Sequence, residues 1–322
     1  MNAKQRVILG KFLQSLTRKS ALSQKASLGQ GEDSAAAGGS VVAQPVPEGV
    51  SVIKPNFAVG SIWERCTAFP VDDRANGGKI PYASEDVFGI SGMYGGVEAY
   101  TVGESGSITP SAAAFNGITK QLGKTVVAIP VTREILQDVN YLCEYSSFCM
   151  SSALKLALDY QVLYATNSSA QGGLSGIIAA SGGYTAATTK PGTSVSRADL
   201  EAMVAAYYGG DEGVWMFSKS AWNNILTNVD QYISIIDFKS RTLFGMPYRI
   251  NPAFQAAKCV LGDFSQYGVI HKPVAESMDA GLYFLSDQMV FKAEFRVAGQ
   301  AMWKGPVTLD DGTAVYPFVA TT

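Results

Sequence analysis

Hydrophobic and polar residues alternate in two neighbouring parts of the chain, and this pattern predicts a pair of β-strands. The first part is residues 79–83, and the second lies within residues 99–139, where a polar, Gly-rich stretch gives way to an alternating segment. Paired, they would form a long ribbon over residues 71–123 that reaches away from any compact core. Because an isolated two-stranded hairpin is marginally stable in water, the ribbon predicts a neighbouring surface on which it lies.

A long helix is predicted directly after the ribbon. Its pattern covers residues 131–168, and after Pro130 the helix opens with Thr132, Arg133 and Glu134. Apolar or small residues recur on one face with a near-heptad spacing, at Ile135, Val139, Leu142, Ser146, Cys149, Ala153, Leu156, Tyr160 and Leu163. A helix of this size would be about 54 Å long, which is typical of a strut, and we call it the spine helix.

A separate α/β lobe is predicted over residues 195–275, because short helical and strand patterns alternate there. Ser196 is a suitable N-cap for a helix that begins near Ala198, and a second helix is predicted from Ser220 to Asn228. Strands are predicted at 214–217 and 260–264, and residues 244–248 are predicted to be a turn that leads into a strand.

The two ends of the chain have different patterns. Residues 4–19 predict a short, basic, amphipathic helix, and residues 26–40 are too small and polar to pack alone. The helix is predicted to be an arm that docks on protein, with contact to membrane or nucleic acid as alternatives. The β segments at 290–297 and 316–319 are predicted to rejoin the domain that contains the spine helix.

The composition places the chain among folded proteins with few charges. Of its 322 residues, 47% are hydrophobic and 16% are charged, and the formal net charge is -2. This balance gives no overall electrostatic footprint for nucleic acid, and no run of about 18 apolar residues predicts a transmembrane helix. The N-terminal residues also lack the apolar core of a secretory signal. Low charge and abundant small residues suit a chain whose surface is largely covered by copies of itself.

Few residues are suited to catalysis or metal binding. Cys66, Cys143, Cys149 and Cys259 lack CxxC spacing and His271 is the single histidine, so buried reduced thiols are predicted rather than a zinc site. Neither a phosphate-loop motif nor a calcium-loop spacing occurs. A hydrolase would have to use His271, which lacks an accompanying GxSxG nucleophile motif. We therefore predict no enzyme activity, cofactor or metal, and keep a hydrolase as a rival of a different class.

Several short segments occur in an order that resembles the major capsid proteins of tailed bacteriophages, which have the Hong Kong 97 fold. These segments are 38–42, 46–48, 79–81, 99–104, 115–138, 243–247, 262–267 and 287–296. Each segment alone carries little information, but together and in this order they span most of the chain and are specific.

The resemblance implies an α+β, Hong Kong 97-like capsid fold. Its parts would be an N-terminal arm at 1–48, a peripheral domain with the spine helix at 49–70 and 124–194, an extended β-hairpin loop at 71–123, an α/β axial domain at 195–275, and a return to the peripheral domain at 276–322. The implied function is that of a structural subunit of an icosahedral viral capsid, which self-assembles into pentamers and hexamers around double-stranded DNA. Assembly would take place in the host cytoplasm, and the mature location would be the virion capsid.

The resemblance also implies which residues meet other subunits. The candidates are Lys79, Tyr100, Glu104, Arg133, Glu134, Asp287, Glu294 and Arg296. Some family members link subunits by an isopeptide bond between a loop lysine and an asparagine, assisted by a glutamate. Glu294 stands at the glutamate position, but Asp287 stands at the asparagine position and residues 86–112 contain no lysine. We therefore expect no covalent link, and expect Glu294 to form an ion pair with Arg296 or Lys292 on a neighbouring strand.

The implied partners are other copies of the chain, portal and decoration proteins, and DNA bound without sequence specificity; no membrane is implied. Family members often carry a removable scaffolding segment of roughly a hundred residues, whereas about 37 residues precede Gly38 here. A separate scaffolding protein is therefore expected. An encapsulin-type shell subunit that encloses protein cargo shares the fold and is the nearest alternative.

Overall fold

The structure is a computed structural model that describes residues 59–72, 74–83, 87–88, 96–97, 99, 101–104, 106–108, 110–132, 140–166, 173–178, 187–190, 195–210, 212–279, 288–303, 305–309 and 311–321. The predicted helix at 4–19 and the predicted arm at 1–48 lie outside these residues. Two compact units are present among the described residues. The first contains Thr125–Lys155 and Val274–Phe295, and the second contains Phe57–Lys124, Leu156–Pro273 and Arg296–Thr322.

Helices and strands alternate irregularly along the chain, as expected of an α+β fold. The helices are α1 Asn140–Tyr164, α2 Arg197–Ala206, α3 Lys219–Thr227 and α4 Val229–Tyr232, with 3-10 turns at Trp63–Arg65 and Phe264–Gln266. The strands are β1 Thr67–Pro70, β2 Gly77–Ala83, β3 Val87–Phe88, β4 Phe115–Gln121, β5 Gly123–Thr132, β6 Ala187–Lys190, β7 Val214–Phe217, β8 Ile236–Asp237, β9 Thr242–Leu243, β10 Met246–Ile250, β11 Cys259–Gly262, β12 Tyr267–His271, β13 Ala275–Asp279, β14 Gln288–Ala301, β15 Val307–Leu309, β16 Ala314–Val315 and β17 Phe318–Thr321.

The pairing of β2 with β4 confirms the two strands of the predicted ribbon. The prediction that the ribbon reaches away from any compact core is wrong at β2, because Ile80 is fully buried against β12. The two strands are antiparallel, and their register runs from Gly77 opposite Gln121 to Ala83 opposite Phe115. Residues directly opposite each other share a face of such a pair. The ribbon therefore presents one face with Ile80 and a second face with Lys79.

The start of the spine helix was predicted too early. Val131 and Thr132 belong to β5, which continues through Pro130 and pairs with β14. Burial alternates at the beginning of β5, where Thr125 is buried and Lys124 is exposed, and the β-branched pair that follows Pro130 favours the extended conformation over a helix. Residues 133–139, which include the predicted first turn, lie outside the described residues.

Helix α1 confirms the rest of the spine helix, and it ends at Tyr164 rather than at the predicted residue 168. The reason is a loop that satisfies the last carbonyl groups of the helix. The amides of Ile177 and Ile178 donate to the carbonyl oxygens of Val162 and Leu163, each at 2.9 Å. These contacts replace the hydrogen bonds that a longer helix would have made.

One stripe of α1 is buried at every fourth residue. It consists of Met150, Leu154, Leu158 and Val162. This spacing keeps side chains on one side of a helix with 3.6 residues per turn. The predicted face differs from the observed one, because Leu156 and Tyr160 are exposed.

The predicted lobe at 195–275 contributes five strands to a seven-stranded sheet with the order β6-β17-β11-β7-β10-β9-β8, and β6 and β17 come from outside those bounds. Its central strands β7 and β11 are buried along their whole length, as their continuous apolar sequences predict. Helix α2 has Ser196 as its N-cap in a capping box with Asp199, which confirms the predicted helix start. Ser218 is the N-cap of α3, where its hydroxyl accepts a hydrogen bond of 3.1 Å from the Ala221 amide, two residues before the predicted start.

The C-terminal strand differs from its prediction. Residues 316–319 were expected to rejoin the domain of the spine helix, but β17 lies between β6 and β11 in the lobe sheet. All four residues of β17 are buried, and the Thr321 hydroxyl accepts a hydrogen bond of 2.9 Å from the Cys259 amide. An interior sheet position explains why this strand is apolar on both faces.

A second sheet has the order β1-β12-β14-β13, with β5 also paired to β14. Within the second unit, β12 pairs with the end of β14 from Val297 to Ala301. Within the first unit, β13 pairs with the beginning of β14. Gly173 lies beside this sheet with a φ of 70°, and a Cβ atom there would lie 2.6 Å from the Gln121 carbonyl oxygen. Only glycine fits this turn, which holds the base of the ribbon.

Candidate subunit interface

The inner face of the ribbon is fixed to the sheet of the second unit. Ile80 is fully buried, and a Cβ atom at Gly268 of β12 would lie 3.1 Å from its Cγ2 atom. Likewise, a Cβ atom at Gly78 would lie 3.0 Å from the Cδ1 atom of Ile270. The two glycines thus let β2 and β12 approach until the isoleucine side chains fill the space between them.

A polar contact ties the ribbon to the loop that follows α1. The Lys120 ammonium group donates to the Ser175 hydroxyl at 2.8 Å. Lys120 is partly buried, and desolvation lowers the pKa of its ammonium group. Since Ser175 is buried, the contact fixes the base of the ribbon more firmly than a solvent-exposed one would.

The outer face of the ribbon is exposed and largely uncharged. Phe115 is 74% exposed, and Ile108, in the segment between the strands, is 76% exposed. The Lys79 side chain lies across Gly117, where no side chain intervenes. Two large apolar side chains exposed on one extended element are typical of an interaction surface.

A buried carboxylate holds the segment before β1 against α1. Asp159 on α1 is fully buried and accepts hydrogen bonds from the Gly60 amide at 2.8 Å and the Trp63 amide at 2.9 Å. The Asn251 side-chain amide donates to the same carboxylate at 2.6 Å. Burial raises the pKa of Asp159, although these donors favour the ionised form. The sequence reasoning missed this residue, whose only signal is an acidic side chain beside the apolar stripe of α1.

A second polar cluster lies where the lobe sheet leads into β12. Asp263 is buried and accepts hydrogen bonds from the Tyr208 hydroxyl at 2.7 Å and the Ser265 amide at 2.9 Å. Burial and the hydrogen bond to Asp263 raise the pKa of Tyr208. Gln266 extends the cluster by accepting from the Trp303 indole at 3.1 Å. The cluster fixes the turn between β11 and β12, and sequence patterns gave no sign of it.

The predicted contact residues fall at separate places. Lys79 lies on the outer ribbon face and Glu104 is exposed in the segment between β2 and β4. Glu294 forms an ion pair with Lys292 at 3.3 Å, but within β14 rather than with a neighbouring strand as expected, and Arg296 is exposed on the same strand. The other four candidates, Tyr100, Arg133, Glu134 and Asp287, lie outside the described residues.

His271, Cys66 and Cys259, which were considered for catalysis or metal binding, are partly or fully buried. His271 on β12 is partly buried, its ring meets Trp63 edge-on at 6.4 Å, and its Nδ1 atom lies 3.3 Å from the Lys272 carbonyl oxygen. Burial raises the pKa of the Cys66 thiol, and that of Cys259 to about 12, so neither is a ready thiolate near neutral pH.

The described residues show neither a metal-ligand cluster nor a membrane-spanning helix. In these residues, no group of three His, Cys, Asp or Glu side chains is arranged to hold a metal ion. No helix in the described part of the chain combines the length and the apolar character needed to span a membrane.

Solved structures of phage capsid proteins share this fold. The capsid of an empty GTA particle is 14% identical, with 90% of this chain and 97% of that chain covered at a TM-score of 0.57. A structure from Gordonia phage Cozz is 15% identical, with 94% of this chain and 99% of that chain covered at a TM-score of 0.56. A structure from Mycobacterium phage Bobi is 15% identical, with 90% and 98% covered at a TM-score of 0.56.

A match between the sequence and a family model shows the protein family of this chain. The family model described as the phage capsid family matches residues 65–308, which is more than half of the 322 residues. The chain therefore belongs to the phage capsid family, and the resemblance to major capsid proteins with the Hong Kong 97 fold is confirmed. It is a structural protein of the bacteriophage virion. A comparison with curated proteins gives no match.

Proposed function

We propose that this chain builds the icosahedral capsid of a tailed bacteriophage, assembling into pentamers and hexamers that enclose double-stranded DNA. The observation that carries the proposal is the ribbon, whose inner face is fixed by Ile80 and whose outer face exposes Phe115, with Ile108 exposed in the segment between its strands. A rigidly held element with exposed apolar side chains is suited to cover a neighbouring subunit. Heterologous contacts of this kind generate closed rings when the rotation between subunits closes.

The domain assignment extends this proposal. We assign the arm to 1–48, the peripheral domain to 49–70 and 124–194, the extended loop to 71–123 and the axial domain to 195–275; residues 276–322 return to the peripheral domain except for β17. The contact residues are proposed to be Lys79, Tyr100, Glu104, Arg133, Glu134, Asp287, Glu294 and Arg296. The enclosed DNA is proposed to be held without sequence-specific contacts.

The proposed partners are a separate scaffolding protein, portal and decoration proteins, and assembly is proposed to occur in the host cytoplasm. A shell that encloses protein cargo is the alternative, and the match to the phage capsid family disfavours it. A hydrolase that uses His271 is disfavoured by the same match, since this family is structural.

Electron microscopy of particles made with the full chain tests the proposal. We expect closed icosahedral shells with five- and sixfold clusters, and nuclease-protected double-stranded DNA when packaging components are present. A protein cargo in place of DNA would support the encapsulin-type alternative. A chain that stays monomeric at all concentrations and with its scaffolding partner would contradict both.

Denatured particles are expected to run as single chains of 34.1 kDa on a gel. The physical reason is that residues 86–112 contain no lysine and that the Glu294 carboxylate is already paired with Lys292. Heating assembled particles in detergent before electrophoresis checks this, with unassembled subunits as the control. A ladder of higher bands that appears only after assembly would show that subunits are covalently linked.

A further inference from the structure

The ribbon contains two Asn-Gly pairs, one near each of its ends. Asn76 and Gly77 stand at the base, where β2 begins, and Asn116 and Gly117 stand near the beginning of β4. Both asparagine side chains are exposed. A glycine has no Cβ atom to shield its backbone nitrogen, and this nitrogen can therefore reach the side-chain carbonyl carbon of a preceding asparagine. The ribbon thus offers two positions for an uncatalysed rearrangement of the backbone.

The base of the ribbon holds Asn76 and Gly77 in place. The Asn76 carbonyl oxygen accepts a hydrogen bond of 3.1 Å from the Leu122 amide. Gly77 lies so close to the Lys120 carbonyl oxygen that a Cβ atom would not fit. The Lys120 side chain is itself tied to Ser175 at 2.8 Å. Rotation of the backbone at this pair would break these contacts, and the fold therefore protects it.

The other pair lies at the outer end of the paired strands. The pairing of β2 with β4 ends with Phe115 opposite Ala83, one residue before Asn116. Gly117 lies opposite Pro81, and a proline has no N–H group to donate to the strand pairing. The Phe115 side chain is exposed and adds no packing there. Local opening has its lowest free energy at such ends, so Asn116 can reach conformations that a paired strand forbids.

A positive charge lies beside the second pair. The Lys79 side chain lies across Gly117, and its ammonium nitrogen would be 3.0 Å from a Cβ atom on that glycine. A backbone nitrogen that attacks a carbonyl carbon must first lose its proton and carry negative charge. A nearby ammonium group stabilises this charge by Coulomb attraction. The surroundings of Gly117 therefore favour the attack as well as permit it.

We propose that Asn116 is a site of spontaneous modification, which converts it to aspartate or isoaspartate in the unassembled subunit. The Gly117 nitrogen loses its proton and bonds to the Asn116 Cγ atom. The bond between Cγ and Nδ2 then breaks, and the departing amide group takes up that proton and leaves as ammonia. Water opens the resulting succinimide at either carbonyl carbon, and its oxygen remains in the new carboxyl group. One water molecule is consumed and one ammonia molecule is released, with no change of oxidation state.

Isoaspartate would change the ribbon more than aspartate would. Its backbone runs through the former side chain and is one carbon atom longer between residues 116 and 117. The strand could no longer place Phe115 opposite Ala83, because strand register requires matched spacing along both strands. Under the proposed function, on which this step alone rests, the displaced Phe115 would be lost to assembly. A neighbouring subunit that covers the ribbon would in turn protect Asn116.

Mass spectrometry of peptides from the full chain tests the proposal. The unassembled subunit is kept in mildly alkaline buffer made with heavy-oxygen water, and samples are digested over time. We expect the peptide with Asn116 to exchange its amide for an acid and to gain one heavy oxygen atom, about tenfold faster than the peptide with Asn76. Equal rates, faster change at Asn76, or no change at either position would overturn the proposal.

Two variants test the mechanism, and thermal melting checks that each one folds. Gly117→Ala adds a Cβ atom that meets first the flexible end of Lys79, and the shielded nitrogen should react about tenfold more slowly. Lys79→Gln should slow the reaction about threefold at low salt and have no effect at about 1 M salt, because salt screens the charge. An unchanged rate in Gly117→Ala would overturn attack by the Gly117 nitrogen. An unchanged rate in Lys79→Gln at low salt would remove Lys79 from the mechanism.

Assembled shells separate this inference from the proposed function. If Asn116 keeps its amide at least about tenfold longer in shells than in unassembled subunits, the result supports coverage of the ribbon by a neighbour. Equal rates in shells and subunits would overturn this coverage, while the chemistry at Asn116 stands. A wild type that never assembles would overturn the proposed capsid function and leave the rates in the unassembled subunit unaffected.

Discussion

Replacing Asp159 by alanine is expected to lower the free energy of unfolding by about 3–5 kcal/mol. The carboxylate is fully buried and accepts from the Gly60 and Trp63 amides and from the Asn251 side chain. Alanine would leave these donors buried without their acceptor, and each orphaned donor costs about 1–3 kcal/mol. The two amides lie in the segment that leads into β1, so the loss would also release that segment from α1.

Urea unfolding of the unassembled subunit measures this effect. Asp230→Ala is the matched control, because its carboxylate is exposed and its removal should change stability by less than about 0.5 kcal/mol. A double-mutant cycle with Asn251→Ala isolates the contact between the two side chains. If Asp159→Ala behaves like the control, the carboxylate does not hold the segment.

The same carboxylate has a characteristic pH dependence. Burial raises the pKa of Asp159 above its value in the unfolded chain, and the Cys66 thiol is a neighbouring titratable group. With a raised pKa, the folded state binds the proton more tightly than the unfolded chain does. The stabilisation from this proton is fully present below the pKa of Asp159 in the unfolded chain, and it is lost as the pH rises through the pKa of Asp159 in the folded protein. The stability difference between the wild type and Asp159→Ala should therefore be larger at about pH 4 than at about pH 7. A difference that grows with pH would show that the hydrogen-bond donors outweigh desolvation.

The elements that sequence patterns predicted correctly have partners nearby in the chain or sequence signals of their own. The ribbon joins two strands of one hairpin, and the start of α2 has a capping side chain at Ser196. The continuous apolar strand β7 is recognisable because both of its faces are buried. In each case the residues that decide the structure stand within the element itself.

The elements that were predicted wrongly depend on distant partners. The alternation that places Thr132 in β5 continues past Pro130 because β14, far along the chain, pairs with this strand. The position of β17 is likewise decided by its neighbours β6 and β11. Asp159 has a partner amide 99 residues earlier, and a backbone amide carries no side-chain signal that a sequence could show. Long-range pairing of this kind is invisible to local periodicity.

Substitutions on the two faces of the ribbon should have separate effects, one on folding and the other on assembly. Ile80→Ala is expected to lower the free energy of unfolding of the unassembled subunit by about 2–5 kcal/mol, because it empties a buried site beside Gly268. Phe115→Ala, on the exposed face, should change that free energy by less than about 0.5 kcal/mol. Its effect should instead be a fall in shell yield at a given concentration, because the proposed function makes a neighbouring subunit the contact of this exposed side chain.

Paired measurements on both variants decide whether the faces have these separate roles. Urea unfolding of unassembled subunits reports the inner face, and the sedimentation of shells from folded subunits reports the outer face. If Phe115→Ala destabilised the subunit as much as Ile80→Ala, the outer face would be packed within its own chain and would be no assembly surface. If Ile80→Ala left stability unchanged, the ribbon would not be fixed at its base. With these outcomes, the inner face of the ribbon would stabilise the fold of its own subunit, and its exposed apolar residues would serve assembly.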